Sequence, residues 1–134
     1  MIEEFDEGAG DGIVGGYSPY VTRWYSVKID IELKIIEDAY KTGCQMPTIA
    51  ELANIYDIGR ATAVKVYEAL CRDEIISAAH GSGYFLRPFV KERLKESHLR
   101  ELKDRLRNDT EYALRIGLEE SDIFDIVSEF INYR

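Results

Sequence analysis

The chain has 134 residues, 46% of them hydrophobic, and a formal net charge of -8. That length fits one compact domain, alone or with an appendage, because domains commonly run to about 100 to 200 residues. Its longest apolar runs, such as ISAA and YFL, fall far short of the roughly 20 consecutive apolar residues that a bilayer crossing needs, so no membrane span is expected.

The charge is unevenly spread. Residues 1–20 hold Glu3, Glu4, Asp6, Glu7 and Asp11 with no Lys or Arg, and supply -5 of the total, whereas residues 21–90 carry only -1. Acidity therefore does not exclude a nucleic-acid partner. Affinity for phosphates then depends on gathering the cations of a near-neutral domain on one face. The opening MIEEFDEGAG lacks the basic and apolar regions of a secretory signal, which makes the cytoplasm the expected location. Cys44 and Cys71 lie outside any CxxC pattern, and the spacings of His80 and His98 to them match no compact ligand pair, so no metal and no disulfide are expected.

Residues 1–20, with EGAGDGIVGG at their centre, read as a flexible acidic tail rather than a phosphate-cradling loop, since the glycines follow no strand and precede no Lys-Ser/Thr pair. From about Thr22 to Asp38 the residues Trp24, Val27, Ile31, Ile35 and Ile36 recur at helical spacing. KTGCQMP ends that helix. Thr48 and Glu51 then form a Thr-x-x-Glu capping box at the start of a helix of about two turns, with Ile49, Leu52, Ala53 and Tyr56 on its apolar face. DIG makes a tight turn. A second helix begins near Arg60, with Ala63, Val66, Tyr67 and Leu70 as its inner stripe and Arg60, Ala61, Val64, Lys65 and Glu68 on the other side.

Two short helices joined this way form a helix-turn-helix. After Glu74 the runs IISAA and YFL, separated by HGSG, predict a β-hairpin. Next, Val90, Leu94, His98, Leu102 and Leu106 recur four apart on a charged helix that starts near Pro88. A break at Gly117 precedes an amphipathic last helix with Ile123, Ile126, Val127, Phe130 and Ile131 on one face. The predicted fold is mainly α with a small β-hairpin. It comprises a tail over 1–20, a winged helix-turn-helix over 21–88 and a two-helix dimerisation region over 89–134.

The run MPTIAELANIYDIGRATAVKVYEALCRDEIISAAHGSGYFL resembles the DNA-binding domain of GntR-type bacterial transcriptional regulators. The similarity lies in Met46-Pro47 before Thr48, Glu51-Leu52-Ala53, Arg60 with Thr62, Lys65 followed by Tyr67 and Leu70, and the wing GSGYF. The short tail, a charged helix and then YALRIGLEESDIFDIV, is similar to the two-helix tail of the YtrA-type subfamily, in which the helices of two subunits pair. Three positions depart from the family pattern. Gly59 stands where Ser is common before the Arg, Ala50 where an Arg often contacts phosphate, and Glu74 where a Gly precedes the wing.

Arg60 sits at the mouth of the second helix, where recognition helices reach base edges, and its guanidinium suits a guanine or an adjacent phosphate. A surface Arg at that position would oppose the helix dipole without recompense. Thr62 suits a phosphate, and Ala61 and Val64 a thymine methyl; for these three, ordinary helix surface is an equal reading. Lys65 is read as a phosphate contact, Thr48 first as a cap whose helix start also suits a phosphate. His80, Gly81 and Ser82 form the wing tip directed at the minor groove, although any hairpin turn favours such residues. The terminal stripes, Val90 to Leu106 and Ile123 to Ile131, are read as core and dimer interface together.

No nucleophile with a base, phosphate loop or clustered carboxylates supports an enzyme, and no cofactor is expected. The reading is a homodimeric regulator, a repressor, acting on a palindromic operator in double-stranded DNA, with any small-molecule effector bound between the domains or at the dimer interface. Two rivals stand beside it. They are a winged-helix protein-interaction module without DNA binding, and a small-ligand carrier built on the helical tail.

Overall fold

The helical spacing of Trp24, Val27, Ile31 and Ile35 becomes α1, Arg23–Ile36, in the computed structural model, which describes residues 22–133. The acidic tail expected over 1–20 lies outside the described residues. Asp38 takes a left-handed φ of 67° and the chain leaves the helix just before it. Tyr40 to Pro47 then carry the chain to α2, Ile49–Tyr56.

The capping box at the start of α2 is formed in full. The Glu51 N–H donates to Thr48 Oγ1 at 3.1 Å, and the Thr48 N–H to Glu51 Oε1 at 2.9 Å, so two otherwise orphaned amide donors are satisfied. At the other end Asp57 adopts φ 53°, and the Ile58 N–H closes on the Ala53 carbonyl at 2.9 Å. Arg23 adds a cation there, its Nη2 donating to the Tyr56 carbonyl at 2.7 Å, where the helix dipole favours positive charge. Only Asp57, Ile58 and Gly59 separate α2 from α3, Arg60–Arg72.

The inner stripe of α3 is the centre of the core. Ala63, Val66, Tyr67 and Leu70 are wholly buried against Val27, Ile31 and Ile35 of α1 and Leu52 of α2. Tyr67 also anchors the approach to α2, its hydroxyl donating to the Pro47 carbonyl at 2.7 Å. Burial pushes that hydroxyl far above the ordinary tyrosine range, helped by the neighbouring Tyr40, Tyr84 and Glu51. A second anchor is charged. Lys28 of α1 pairs with Glu32 on its own helix and with Asp73 at the end of α3 at 3.0 Å.

Past α3, Glu74 sits at φ 61° while the Ile75 N–H bonds the Leu70 carbonyl at 2.9 Å, a Schellman-type helix end. The chain then enters the hairpin of β1, Ile76–Ala79, and β2, Gly83–Leu86, paired antiparallel from Ile76↔Leu86 to Ala79↔Gly83. The stretch before α2 lies along the free side of β2. Gly43 N–H donates to the Leu86 carbonyl and Met46 N–H to the Tyr84 carbonyl, with Gln45 bridging Phe85.

α4, Val90–Arg115, is a single helix of 26 residues. Its first turns belong to the core just described, for Val90 is 2% and Leu94 4% exposed. Arg93 holds this start to the end of α3, donating to the carbonyls of Asp73 at 3.0 Å and Glu74 at 2.6 Å. The chain divides into two compact units after Leu94. In the second, the chain turns out of α4 at Gly117, where φ is 97° and the Leu118 N–H reaches the Ala113 carbonyl at 3.0 Å. The last helix, α5, Glu120–Asn132, follows, with no buried residue. The fold is thus mainly helical with one hairpin, a winged helix-turn-helix followed by a helical C-terminal region, as the residue pattern predicts.

Candidate nucleic-acid interface

The core that holds one side of α3 leaves the other side outward. Arg60 and Ala61 are exposed on its first turn, Thr62 and Val64 are half-buried, and Lys65 is exposed one turn further on. The cap of this helix is Gly59, which has no side chain to accept from the first-turn amides. Those amides therefore remain available to an incoming anion. Arg60, beside them, adds a permanent positive charge.

Lys65 is not a loose cation. Its ammonium lies 5.0 Å from the centre of the Trp24 ring, so the indole face of α1 limits where the charge sits. Trp24 thus contributes to the surface of α3 as well as to the core, a role its place in a helical stripe does not reveal.

Thr48 is exposed at the start of α2 with its oxygen engaged in the capping box. Its hydroxyl hydrogen is still free to donate. The neighbouring Ala50 is exposed and offers no polar group.

His80, Gly81 and Ser82 form the turn of the wing and are all exposed. The Ser82 N–H closes the turn on the Ala79 carbonyl at 2.8 Å, and Gly81 supplies a φ of 75° that an L side chain rarely adopts. The wing is also tethered from outside the hairpin. Gln45 Nε2 donates to the Ser82 carbonyl at 3.0 Å, and a Cβ on Gly83 would come within 2.9 Å of that nitrogen. Gln45 is a positioning residue that the sequence pattern missed, because 37 positions separate it from its partner.

All nine residues predicted for DNA contact lie in the first unit and project from three places, namely the start of α2, the outer side of α3 and the wing turn. Of the ten assigned to dimerisation, Val90 and Leu94 are spent in the core of the first unit. The other eight lie in the second unit. His98 and Ile123 are half-buried, while Leu102, Leu106, Ile126, Val127, Phe130 and Ile131 are 41–69% exposed. Among the described residues no helix is long and apolar enough to cross a membrane, and no three His, Cys, Asp or Glu side chains group as metal ligands.

A helix-turn-helix with a two-stranded wing and an outward second helix bearing Arg and Lys defines a class of DNA-binding transcriptional regulators. Residues 26–86, somewhat under half of the chain, match the family described as "Bacterial regulatory proteins, gntR family". The fold over residues 26–86 is accordingly similar to the one that this family of regulators shares. A GntR family transcriptional regulator from Listeria monocytogenes superposes with a TM-score of 0.70 at 20% identity, covering 84% of this chain and 98% of that one. A transcriptional regulator from Oenococcus oeni gives 0.68 at 20% identity over 88% and 99% of the two chains. No curated protein sequence matches significantly.

Proposed function

We propose that the chain is a homodimeric repressor of the YtrA type that binds a short palindromic operator through α3 and the wing. The observation that carries the DNA contact is the division of α3. One side is wholly buried by Ala63, Val66, Tyr67 and Leu70, and the other presents Arg60 and Lys65 with half-buried Thr62 and Val64 between them. In this reading Arg60 makes the bidentate base contact, Lys65 and Thr62 hold phosphates, Ala61 and Val64 meet thymine methyls, and the turn of His80, Gly81 and Ser82 follows the minor groove. The Thr48 hydroxyl and the α2 start hold a further phosphate.

The dimer is supported by α5. Phe124, Ile126, Val127, Phe130 and Ile131 are 41–69% exposed on a helix of 13 residues, far more apolar surface than a lone helix keeps in water. A second copy of the same helix covers such a face by two-fold symmetry, which also presents two α3 helices to half-sites about one helical turn apart.

Selection of bound sequences from random duplexes tests the whole reading. The expected product is an inverted repeat bound with an affinity that falls steeply with salt and drops on Arg60→Ala. Binding that ignores salt or Arg60 would leave a protein-interaction module as the better account.

A further inference from the structure

A second site lies away from the α3 surface, where the end of α1, the base of the wing and the start of α4 surround a cleft of about 330 Å³. Its floor is apolar, made by Ile35, Leu86 and Val90, each no more than 5% exposed. Its rim carries three cations, Lys41, Arg87 and Lys91, against one carboxylate, Asp38. Lys91 Nζ pairs with Asp38 Oδ2 at 2.7 Å. Neither Lys41 nor Arg87 pairs with a carboxylate among the described residues, so the rim keeps an excess of two positive charges in a chain that is acidic overall.

Two hydroxyls complete the rim, Thr42 and Tyr40. Burial first raises the Tyr40 hydroxyl above its ordinary range, against the opposing pull of Lys34, so it stays a neutral donor at physiological pH. An apolar floor with a few convergent polar groups is the usual make-up of a small-molecule site, and a volume of this order suits a compact metabolite.

We propose that this cleft binds a small organic polyanion, its charged groups held by Arg87, Lys41 and Lys91 and its short carbon skeleton on Ile35, Leu86 and Val90, and that occupancy alters DNA binding. The binding claim stands on the cleft alone, whereas the regulatory claim rests on the DNA-binding reading above. The site differs from the domain boundary or dimer interface expected for an effector, since every lining residue lies in the first unit. The coupling is local. Arg87 directly follows β2, whose last residue Leu86 exchanges backbone hydrogen bonds with Gly43 and Cys44, and Lys91 ties α4 to the end of α1. An anion competing with Asp38 for Lys91 replaces a link between α1 and α4 with one that also includes the base of the wing.

The test is a titration of the full chain, followed by amide chemical shifts, with 3-phosphoglycerate and with citrate, each against sodium chloride at matched ionic strength. Shifts centred on residues 35–43 and 86–91, and binding weakened at least tenfold by Arg87→Gln or Lys41→Gln but not by Lys103→Gln in the second unit, are expected. The probe that binds more tightly separates phosphate ester from polycarboxylate. Shifts reproduced by chloride, or indifferent to Arg87→Gln, overturn the site. Loss of DNA affinity by Arg87→Gln with no anion present also overturns it, by placing these cations on the duplex. An anion that binds but leaves DNA affinity unchanged overturns the regulatory claim alone, and wild-type protein that ignores DNA while binding the anion sinks the repressor reading instead.

Discussion

Replacing Glu74 with glycine is expected to stabilise the first unit. Glu74 ends α3 at φ 61°, where its Cβ crowds the backbone, at a cost of roughly 1–2 kcal/mol for an L residue. Glycine removes that cost but loses roughly 0.5–1 kcal/mol more conformational entropy on folding. The net gain is about 0.5–1 kcal/mol. Nothing else in the turn is forfeited, because Glu74 is exposed and the group that accepts from Arg93 at 2.6 Å is its main-chain carbonyl. In a unit of this size the gain corresponds to a rise in melting temperature of roughly 2–8 °C.

Thermal and urea unfolding followed by circular dichroism measure it, with Glu74→Ala as the control. Both substitutions remove one negative charge from an acidic chain, but only glycine loses the Cβ. The difference between them therefore isolates the backbone. A Glu74→Gly midpoint no higher than that of Glu74→Ala would refute the left-handed geometry as the source of strain.

Arg60→Ala is expected to weaken operator binding by about 1–3 kcal/mol, the worth of a bidentate base contact, while leaving the melting temperature unchanged or slightly higher, since a cation at a helix start opposes the dipole; fluorescence anisotropy and calorimetry check the two halves. Gly59→Ser places a hydroxyl at the cap of α3, where a new Cβ meets nothing within 4 Å, and should add a few tenths of a kcal/mol of stability in calorimetry. Tyr67→Phe strands the Pro47 carbonyl and should cost about 1–2 kcal/mol in urea unfolding. Alkali should act on the same protein in a defined window. Tyr56 and Tyr67 are raised in the fold above their usual 10.0 and Lys28 above 10.5, so their contribution is whole below about pH 10 and is lost as pH climbs through the folded values. Unfolding midpoints that stay level from about pH 8 to pH 11 would contradict this. Phe130→Glu should leave a single chain in sedimentation where the proposed dimer gives two, and reduce operator affinity without unfolding the first unit.

Most of the winged unit is legible in the residue pattern because its signals are local. The Thr48–Glu51 capping box, the stripe of Ala63, Val66, Tyr67 and Leu70, and the glycines of the wing each act within a few positions, over which backbone sterics and helical periodicity operate. The outward side of α3 follows from the same stripe, since what is not buried must face away.

Other features exist only once distant segments meet. Gln45 tethers the wing at Ser82, Trp24 positions Lys65, Arg93 braces the end of α3, and Lys41, Arg87 and Lys91 gather around one cleft. Each joins residues too far apart for any local pattern to register. The stripe from Val90 to Leu106 makes the same point within one helix. Its spacing is even, yet Val90 and Leu94 are buried in the core while Leu102 and Leu106 are about half exposed. Periodicity records which side of a helix is apolar; what covers that side is decided by where the rest of the chain packs.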